Sequence, residues 1–205
     1  MTISDGVGRR PGGRSARVRA AVRAATLSEL AEKGYTALTV EGVATRSGVH
    51  KTTVYRRWGG IDGLIADALE MASEEPWPIP DTGSAAGDLR ALARLVLTGF
   101  TEAAEAPVST AFIAAATQSP AVADALRDFF ASRHDQAARI VTRAVARGEL
   151  PDGTDPAEVV RAAVAPLYYR LFVSREPVDA TVADRAADAA LAAARAGTLG
   201  QVGSG

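Results

Sequence analysis

The chain has 205 residues, 47% of them hydrophobic and 23% charged, a composition typical of a folded globular protein. It contains no cysteine, which excludes disulfide bonds and thiolate metal sites and fits the reducing cytoplasm, the location that we expect. The N-terminal arginines are followed by no apolar segment, and no apolar run approaches about 18 residues. Neither a secretion signal nor a membrane span is therefore predicted.

Charge is distributed unevenly along the chain, although the net charge is only −1. Residues 1–60 contain 11 basic and 4 acidic residues, a net charge of +7, whereas the remainder contains 12 basic and 20 acidic residues, a net charge of −8. A basic N-terminal third on an acidic body indicates that this end of the protein meets a polyanion. Charge alone leaves open the alternative of a merely solvated basic surface.

The first 34 residues predict a basic arm followed by a helix. Residues 1–13 are rich in glycine and arginine and show no periodicity, which is typical of a disordered arm. Helical spacing across residues 14–33 then gives one largely apolar face, made of Val18, Val22, Ala25, Thr26 and Leu30. Gly34 follows this helix as a stop signal.

Three further helices complete the predicted N-terminal domain, residues 14–75. Two short helical runs, Val40–Ser47 and Lys51–Trp58, are joined by a Gly-Val pair, and a third run extends from about Ile61 to Glu74. Three prolines then alternate with other residues, which removes backbone donors and restricts the neighbouring backbone. We therefore predict a linker at residues 76–83.

The second domain, residues 84–197, is predicted to be entirely helical. Five segments show helical signals, at about residues 84–104, 108–118, 120–147, 155–174 and 179–196. Two of them begin with a capping residue and then proline at the first helical position, Ser119-Pro120 and Asp155-Pro156. A glycine-rich tail, residues 198–205, is expected to be flexible. Because no segment alternates with period two, the sequence predicts an all-α fold of nine helices.

The two short helices form a candidate helix-turn-helix, whose second helix enters the major groove of DNA in proteins of this kind. Thr39 is a good N-cap for the first short helix, and Gly48 permits the tight turn between the two. The second helix carries several side chains that are able to hydrogen-bond with bases or phosphates. They are His50, Lys51, Thr52, Thr53, Tyr55, Arg56 and Arg57.

This region resembles the DNA-binding region of the TetR family of bacterial regulators over about residues 15–70. The matching positions include Gly34-Tyr35, Leu38-Thr39-Val40, Val43-Ala44, Ser47-Gly48-Val49, Thr53-Val54-Tyr55 and Leu64. The resemblance implies that Thr39 and Tyr55 contact phosphates and that residues 51–53 face the bases. The predicted DNA-binding residues are Arg14, Thr39, Val40, His50, Lys51, Thr52, Thr53, Tyr55, Arg56 and Arg57.

Two departures from the family pattern concern DNA contacts. Glu41 stands where some members carry a base-reading arginine, and residues 59–62 lack a lysine that often reaches a phosphate. Arg56 and Arg57 are candidates for replacing that contact.

The resemblance also implies a TetR-like C-terminal domain in which the last two long helices form a four-helix bundle with a second subunit. The helix at residues 155–174 has apolar residues on more than one face, which indicates burial on more than one side. The final helix is rich in alanine, which permits close approach of two backbones. The predicted residues of the homodimer interface are Val160, Val164, Leu167, Leu171, Ala186 and Ala190.

In the family, the same domain also holds a small-molecule effector. The resemblance predicts a pocket between the helices at residues 84–104, 108–118 and 120–147, lined by Leu92, Val96, Phe100, Phe112, Phe129 and Arg133. Arg133 lies at the centre of an apolar face, where a cation requires a partner or a polar cavity. Three interpretations of Arg133 stay open: it anchors an anionic effector, it forms an internal ion pair with Glu102 or Glu105, or it extends to the surface.

These patterns predict a DNA-binding transcriptional regulator, most simply a repressor that binds an inverted-repeat operator and is released by an unknown effector. An enzyme is not expected, because the chain has only two histidines and lacks a phosphate-binding loop, an HExxH pair and a nucleophile elbow. No metal or other cofactor is predicted. Two alternatives stay open: an activator, and a helical adaptor or membrane-surface protein that uses its basic end. The second lacks a basic amphipathic helix with bulky apolar anchors.

Overall fold

The computed structural model describes residues 12–102 and 106–200. Within these ranges the chain forms nine α-helices: α1 (Gly12–Lys33), α2 (Val40–Ser47), α3 (Lys51–Trp58), α4 (Ile61–Glu74), α5 (Ala85–Thr101), α6 (Ala106–Ala116), α7 (Pro120–Ala146), α8 (Pro156–Tyr168) and α9 (Ala180–Arg195). A 3₁₀ turn covers Tyr35–Ala37, and a π-helical turn at Tyr169–Ser174 continues α8. The described ranges contain no strand, so the prediction of an all-α fold is confirmed.

The core around α1 to α4 forms because each helix contributes a narrow apolar face. Val22 and Leu30 of α1 meet Val43 of α2, Val54 of α3 and Leu64 of α4, and all five side chains are buried. The same cluster continues into α6 and α7 through Phe112, Ala115 and Val122. The N-terminal core therefore extends past the proline-rich segment and includes part of the following domain.

A second core lies between α5, α7, α8 and α9. Its largest buried side chains include Leu89 and Leu92 of α5, Ile140 of α7 and Leu167 of α8. The buried face of α9 consists mainly of alanine, whose small side chain lets this helix approach its neighbours closely. This core holds α5, α7, α8 and α9 together.

The segment between α4 and α5, predicted as a linker, is packed against the C-terminal domain. Buried Asp88 accepts hydrogen bonds from the backbone N–H and the hydroxyl of Thr82, the latter at 2.9 Å. The guanidinium of Arg143 donates to the carbonyl of Pro80 and lies near Asp88. These contacts fix the segment, and with it Trp77, against α5 and α7.

Two terminal predictions need revision where the structure describes the chain. Helix α1 begins at Gly12, so residues 12–13 are helical and only residues 1–11 of the predicted arm lie outside the described residues. The predicted flexible tail is partly ordered, because the N–H of Asp155 donates to the carbonyl of Leu199 at 2.8 Å. Residues 201–205 lie outside the described residues.

Candidate DNA-binding surface and ligand cavity

Helices α2 and α3 form the helix-turn-helix, and local hydrogen bonds set its geometry. The hydroxyl of Thr39 accepts a bond from the N–H of Gly42 at 3.0 Å and so caps α2. Gly48 ends α2 with a φ of 68°, in the left-handed region that favours glycine. Val43 and Val54 are fully buried between the helices and fix their crossing. The predicted boundaries of both helices match the structure.

The exposed face of α3 presents most of the predicted DNA-binding side chains together. His50, Lys51, Thr52, Tyr55, Arg56 and Arg57 are exposed, Thr53 is half-buried, and Arg14 is exposed on α1. Val40 has a side chain that is only 4% exposed and belongs to the core between the two helices. Its position at the start of α2 leaves only its backbone N–H for a phosphate.

Three charged side chains of this surface have partners within the subunit. Lys51 donates to the carboxylate of Glu41 at 2.9 Å, and this bond raises the pKa of Lys51 and lowers that of Glu41. Arg57 donates to the hydroxyl of Ser15 at 3.3 Å and stacks over the ring of Trp58. The exposed surface formed by α3 and Glu41 therefore combines cations with one carboxylate, and Arg57 is directed towards α1.

The amino end of α4 is fastened to the C-terminal domain. One carboxylate oxygen of Asp62 accepts a hydrogen bond from the hydroxyl of Tyr35 at 2.8 Å, and the other accepts from Ser119 at 2.9 Å. Ser119 also caps α7 by accepting from the N–H of Val122. Asp62 thus joins the DNA-binding domain to the start of α7.

A cavity of about 490 Å³ lies between the two domains, and its walls are mainly apolar. Five of the six predicted effector-binding residues line it: Val96, Phe100, Phe112, Phe129 and Arg133. Leu92 was wrongly assigned to the wall, because its side chain is fully buried in the second core. A cavity of this volume is within the range of small-molecule binding sites.

The walls extend further than the sequence predicted. Helices α1 and α4 of the DNA-binding domain contribute Arg23, Leu27, Ala68, Leu69 and Ala72, and the segment after α4 contributes Glu75, Pro76 and Trp77. Helix α8 adds Val160, Val164 and Tyr168, and α7 adds His134. No periodic signal links these residues, because they come from four helices and the segment after α4. A tryptophan between prolines was the one local hint, since such a large side chain usually packs against something.

Arg133 is held by the carboxyl end of α4. Its guanidinium donates to the carbonyl of Ala72 at 2.7 Å and to that of Glu75 at 3.1 Å. It lies 5.4 Å from the ring centroid of Trp77 and 5.1 Å from that of Phe129. Burial lowers its pKa, and nearby Glu75 opposes this effect.

The predicted internal ion pair of Arg133 is not found among the described residues. Glu102 is exposed and does not bond with it, and Glu105 lies outside the described residues. The guanidinium instead donates to carbonyl oxygens at the end of α4, where backbone donors are few; the carbonyl of Ala72 also accepts from the N–H of Glu75 at 3.2 Å. This arrangement was not among the alternatives that the sequence suggested.

Comparison with known proteins identifies the chain. Residues 22–68 match the family model described as "Bacterial regulatory proteins, tetR family", and residues 79–190 match "Tetracyclin repressor-like, C-terminal domain". The HTH-type transcriptional regulator AqdR of Rhodococcus erythropolis is 36% identical over 163 residues, which cover 78% of this chain and 77% of that protein. The chain belongs to the TetR family of transcriptional regulators.

Solved structures of TetR family regulators share the fold. One is 30% identical, with a TM-score of 0.68 over 86% of this chain and 97% of the other. A TetR transcriptional regulator from Agrobacterium tumefaciens is 26% identical, with a TM-score of 0.65 over 86% of this chain and 93% of the other. The matched families are transcriptional regulators and not enzymes. In the part of the chain that the structure describes, no helix is long and apolar enough to cross a membrane.

TetR family regulators bind DNA and act as dimers, which directs attention to the outer faces of α8 and α9. Most residues predicted at the dimer interface lie inside the subunit. Val160, Val164, Leu167, Ala186 and Ala190 are at most 7% exposed in the single chain, and Leu171 is half-buried.

The exposed apolar residues next to this buried stripe are different ones. Tyr169 and Val173, on the π-helical turn, are 58% and 67% exposed. Ala165 and Pro166 continue this exposed surface along α8, and Ala189 is exposed on α9. These five residues, called the outer apolar surface below, replace the interior set as candidates for contact with a second subunit.

Proposed function

We propose that this protein is a homodimeric transcriptional repressor that binds an inverted-repeat operator and is released by a small molecule held in the interdomain cavity. It would act in the cytoplasm, where bacterial DNA is located. The observation that carries the proposal is the composition of the cavity wall. Helices α1 and α4, which pack in the same domain as the helix-turn-helix, form one side of the wall, and α5 to α8 form the other.

The DNA-binding part rests on the exposed face of α3. Lys51, Thr52, Tyr55 and Arg56 are exposed on a helix of eight residues whose opposite side is fixed by buried Val54. A twofold dimer places two such helices in successive major grooves, about 34–36 Å apart, so the operator has the symmetry of an inverted repeat. The outer apolar surface is the proposed area of contact between the two subunits.

The release step follows from the position of the cavity. A molecule that contacts α4 on one side and α7 on the other fits one arrangement of the two domains better than another. The molecule changes the affinity for DNA by no more than the ratio of its own affinities for the two arrangements. Linkage then requires operator DNA to weaken binding of that molecule by the same factor.

Selection of binding sites from a random duplex library tests this proposal. We expect enrichment of an inverted repeat whose half-site centres are separated by about one helical turn, about 10 base pairs. Enrichment of an asymmetric single site, or no enrichment, would contradict the proposed dimeric operator complex.

In vitro transcription from a promoter that overlaps the selected site then determines the direction of control. We expect the protein to lower the amount of transcript. An increase would identify an activator and contradict the repressor part of the proposal.

A further inference from the structure

The charged side chains of the cavity wall are not balanced. Two arginines, Arg23 and Arg133, face one carboxylate, Glu75, and Arg23 is paired with that carboxylate. Arg133 forms no ion pair among the described residues and bonds only with neutral carbonyl oxygens. The Nε of Arg23 is buried and has no hydrogen-bond partner. The wall thus has a net positive charge and an unused donor.

A carboxylate is a stronger partner for Arg133 than the two carbonyl groups it now contacts. Hydrogen bonds between ionised groups are roughly twice as strong as neutral ones, and a planar guanidinium binds both oxygens of a carboxylate in parallel. Burial lowers the pKa of partly buried Arg133, and Glu75 opposes this effect, as expected for a cation whose lost hydration is replaced only in part. An anion entering the cavity would supply the missing compensation.

The remainder of the wall selects a flat apolar body. The guanidinium of Arg133 is flanked by the rings of Trp77 and Phe129. Deeper in the wall, the ring of Tyr168 meets those of Phe100 and Phe130 edge to face, with centroids 5.4 and 5.6 Å away. Aromatic rings arranged in this way present edges and faces that favour a further aromatic ring.

The geometry points to a planar aromatic carboxylate as the ligand of this cavity, bound through Arg133, which exchanges the carbonyls of Ala72 and Glu75 for the carboxylate. This inference rests on the proposed ligand-binding role of the cavity. The exchange removes the side-chain donor from the carbonyls of Ala72 and Glu75, while the backbone N–H of Glu75 still donates to the carbonyl of Ala72. At the opposite end, Asp62 still holds α4 to Ser119, so only the carboxyl end of α4 is loosened.

Equilibrium dialysis of the full-length protein against naphthalene-2-carboxylate and naphthalene-2-carboxamide at neutral pH tests the ligand class. The two probes have the same ring system and differ in charge. We expect the carboxylate to bind at least about tenfold more tightly, the factor that one charge-assisted pair contributes. Arg133→Gln should reduce this preference to about threefold or less. The matched control Arg139→Gln, an exposed arginine of α7 outside the wall, should keep it.

Each other outcome overturns the inference. Equal or tighter binding of the carboxamide, or failure of both probes to bind, excludes an anionic aromatic ligand whatever the stability of the variants. Tighter binding of decanoate than of the naphthalene carboxylate excludes the aromatic part. If the carboxamide binds and competes with a selected operator, the proposed ligand class is wrong, but the proposed function is retained. Absence of any selected operator would remove the proposed function itself.

Hydrogen exchange measures the exchange of partners independently. Bound naphthalene-2-carboxylate should accelerate amide exchange in the last turn of α4 and its C-cap, residues 71–75, because that segment loses the guanidinium of Arg133 as a donor. Unchanged or slower exchange there, with the probe bound, would show that Arg133 keeps its carbonyl partners.

Discussion

Among the described residues, the large apolar side chains that remain exposed are Tyr55, Tyr169 and Val173. Tyr55 lies on the exposed face of α3, whereas Tyr169 and Val173 lie on the outer apolar surface. We predict that Val173→Ser and Tyr169→Ser weaken the dimer, because both side chains lose contact with water only when a second subunit covers them.

The magnitude follows from the exposed fraction of each side chain. Complete burial of a valine contributes about 1.5–3 kcal/mol, so covering the 67% of Val173 that is exposed contributes about 1–2 kcal/mol. A twofold dimer contains this residue twice, which gives about 2–4 kcal/mol. Val173→Ser should therefore raise the dimer dissociation constant about 30-fold to 1,000-fold. Tyr169, 58% exposed, should contribute comparably.

Sedimentation velocity over a range of protein concentrations measures this constant. Tyr55→Ser is the matched control, since it removes an exposed aromatic ring from the other end of the molecule and should leave dimerisation unchanged. Leu167→Ala distinguishes the interior of the subunit from its surface, because deletion of a buried leucine should lower the free energy of unfolding by about 2–5 kcal/mol. A Tyr169/Val173 double variant that dimerises like the wild type would refute the assignment of this surface.

Three further predictions concern capping, DNA contact and pH. Thr39→Ala should lower the free energy of unfolding by about 1 kcal/mol in urea titrations, because the N-cap of α2 is lost, and Thr39→Ser should restore most of it. Lys51→Ala should weaken operator binding by about 1–3 kcal/mol in anisotropy titrations, whereas Glu41→Gln should strengthen it; changes of the same sign would contradict their placement. The pKa of His134 is lowered by burial and, to a lesser extent, by Arg161, so stability should fall as the pH drops below about 6.5, and His134→Gln should flatten this dependence.

The DNA-binding domain was predictable because its signals are local. The N-cap at Thr39 and the left-handed glycine at Gly48 fix the ends of α2 through contacts within a few residues. These local contacts explain why the predicted ends of α2 and α3 agree with the structure.

The C-terminal domain was less predictable because periodicity identifies an apolar face and does not identify what covers it. The stripe that contains Val164 and Leu167 was assigned to a second subunit, but α5, α7 and α9 of the same chain bury it. Leu92 and Val96 are separated by one helical turn, and only Val96 reaches the cavity. The partners of Arg133 depend on the place where α4 ends against α7. Arg133 is 58 positions from Glu75 and 61 positions from Ala72 in the sequence, so no local pattern links it with them.

Operator binding by helix α3 is the central claim, and one titration tests it most directly. Fluorescence anisotropy of a labelled, selected operator should be compared between the wild type and a Lys51/Tyr55/Arg56 triple alanine variant at two salt concentrations. We expect the wild type to bind in the nanomolar range with strong salt dependence, and the variant to lose at least about a hundredfold in affinity with a shallower salt dependence. Equal affinity and equal salt dependence of the two proteins would show that α3 does not read DNA.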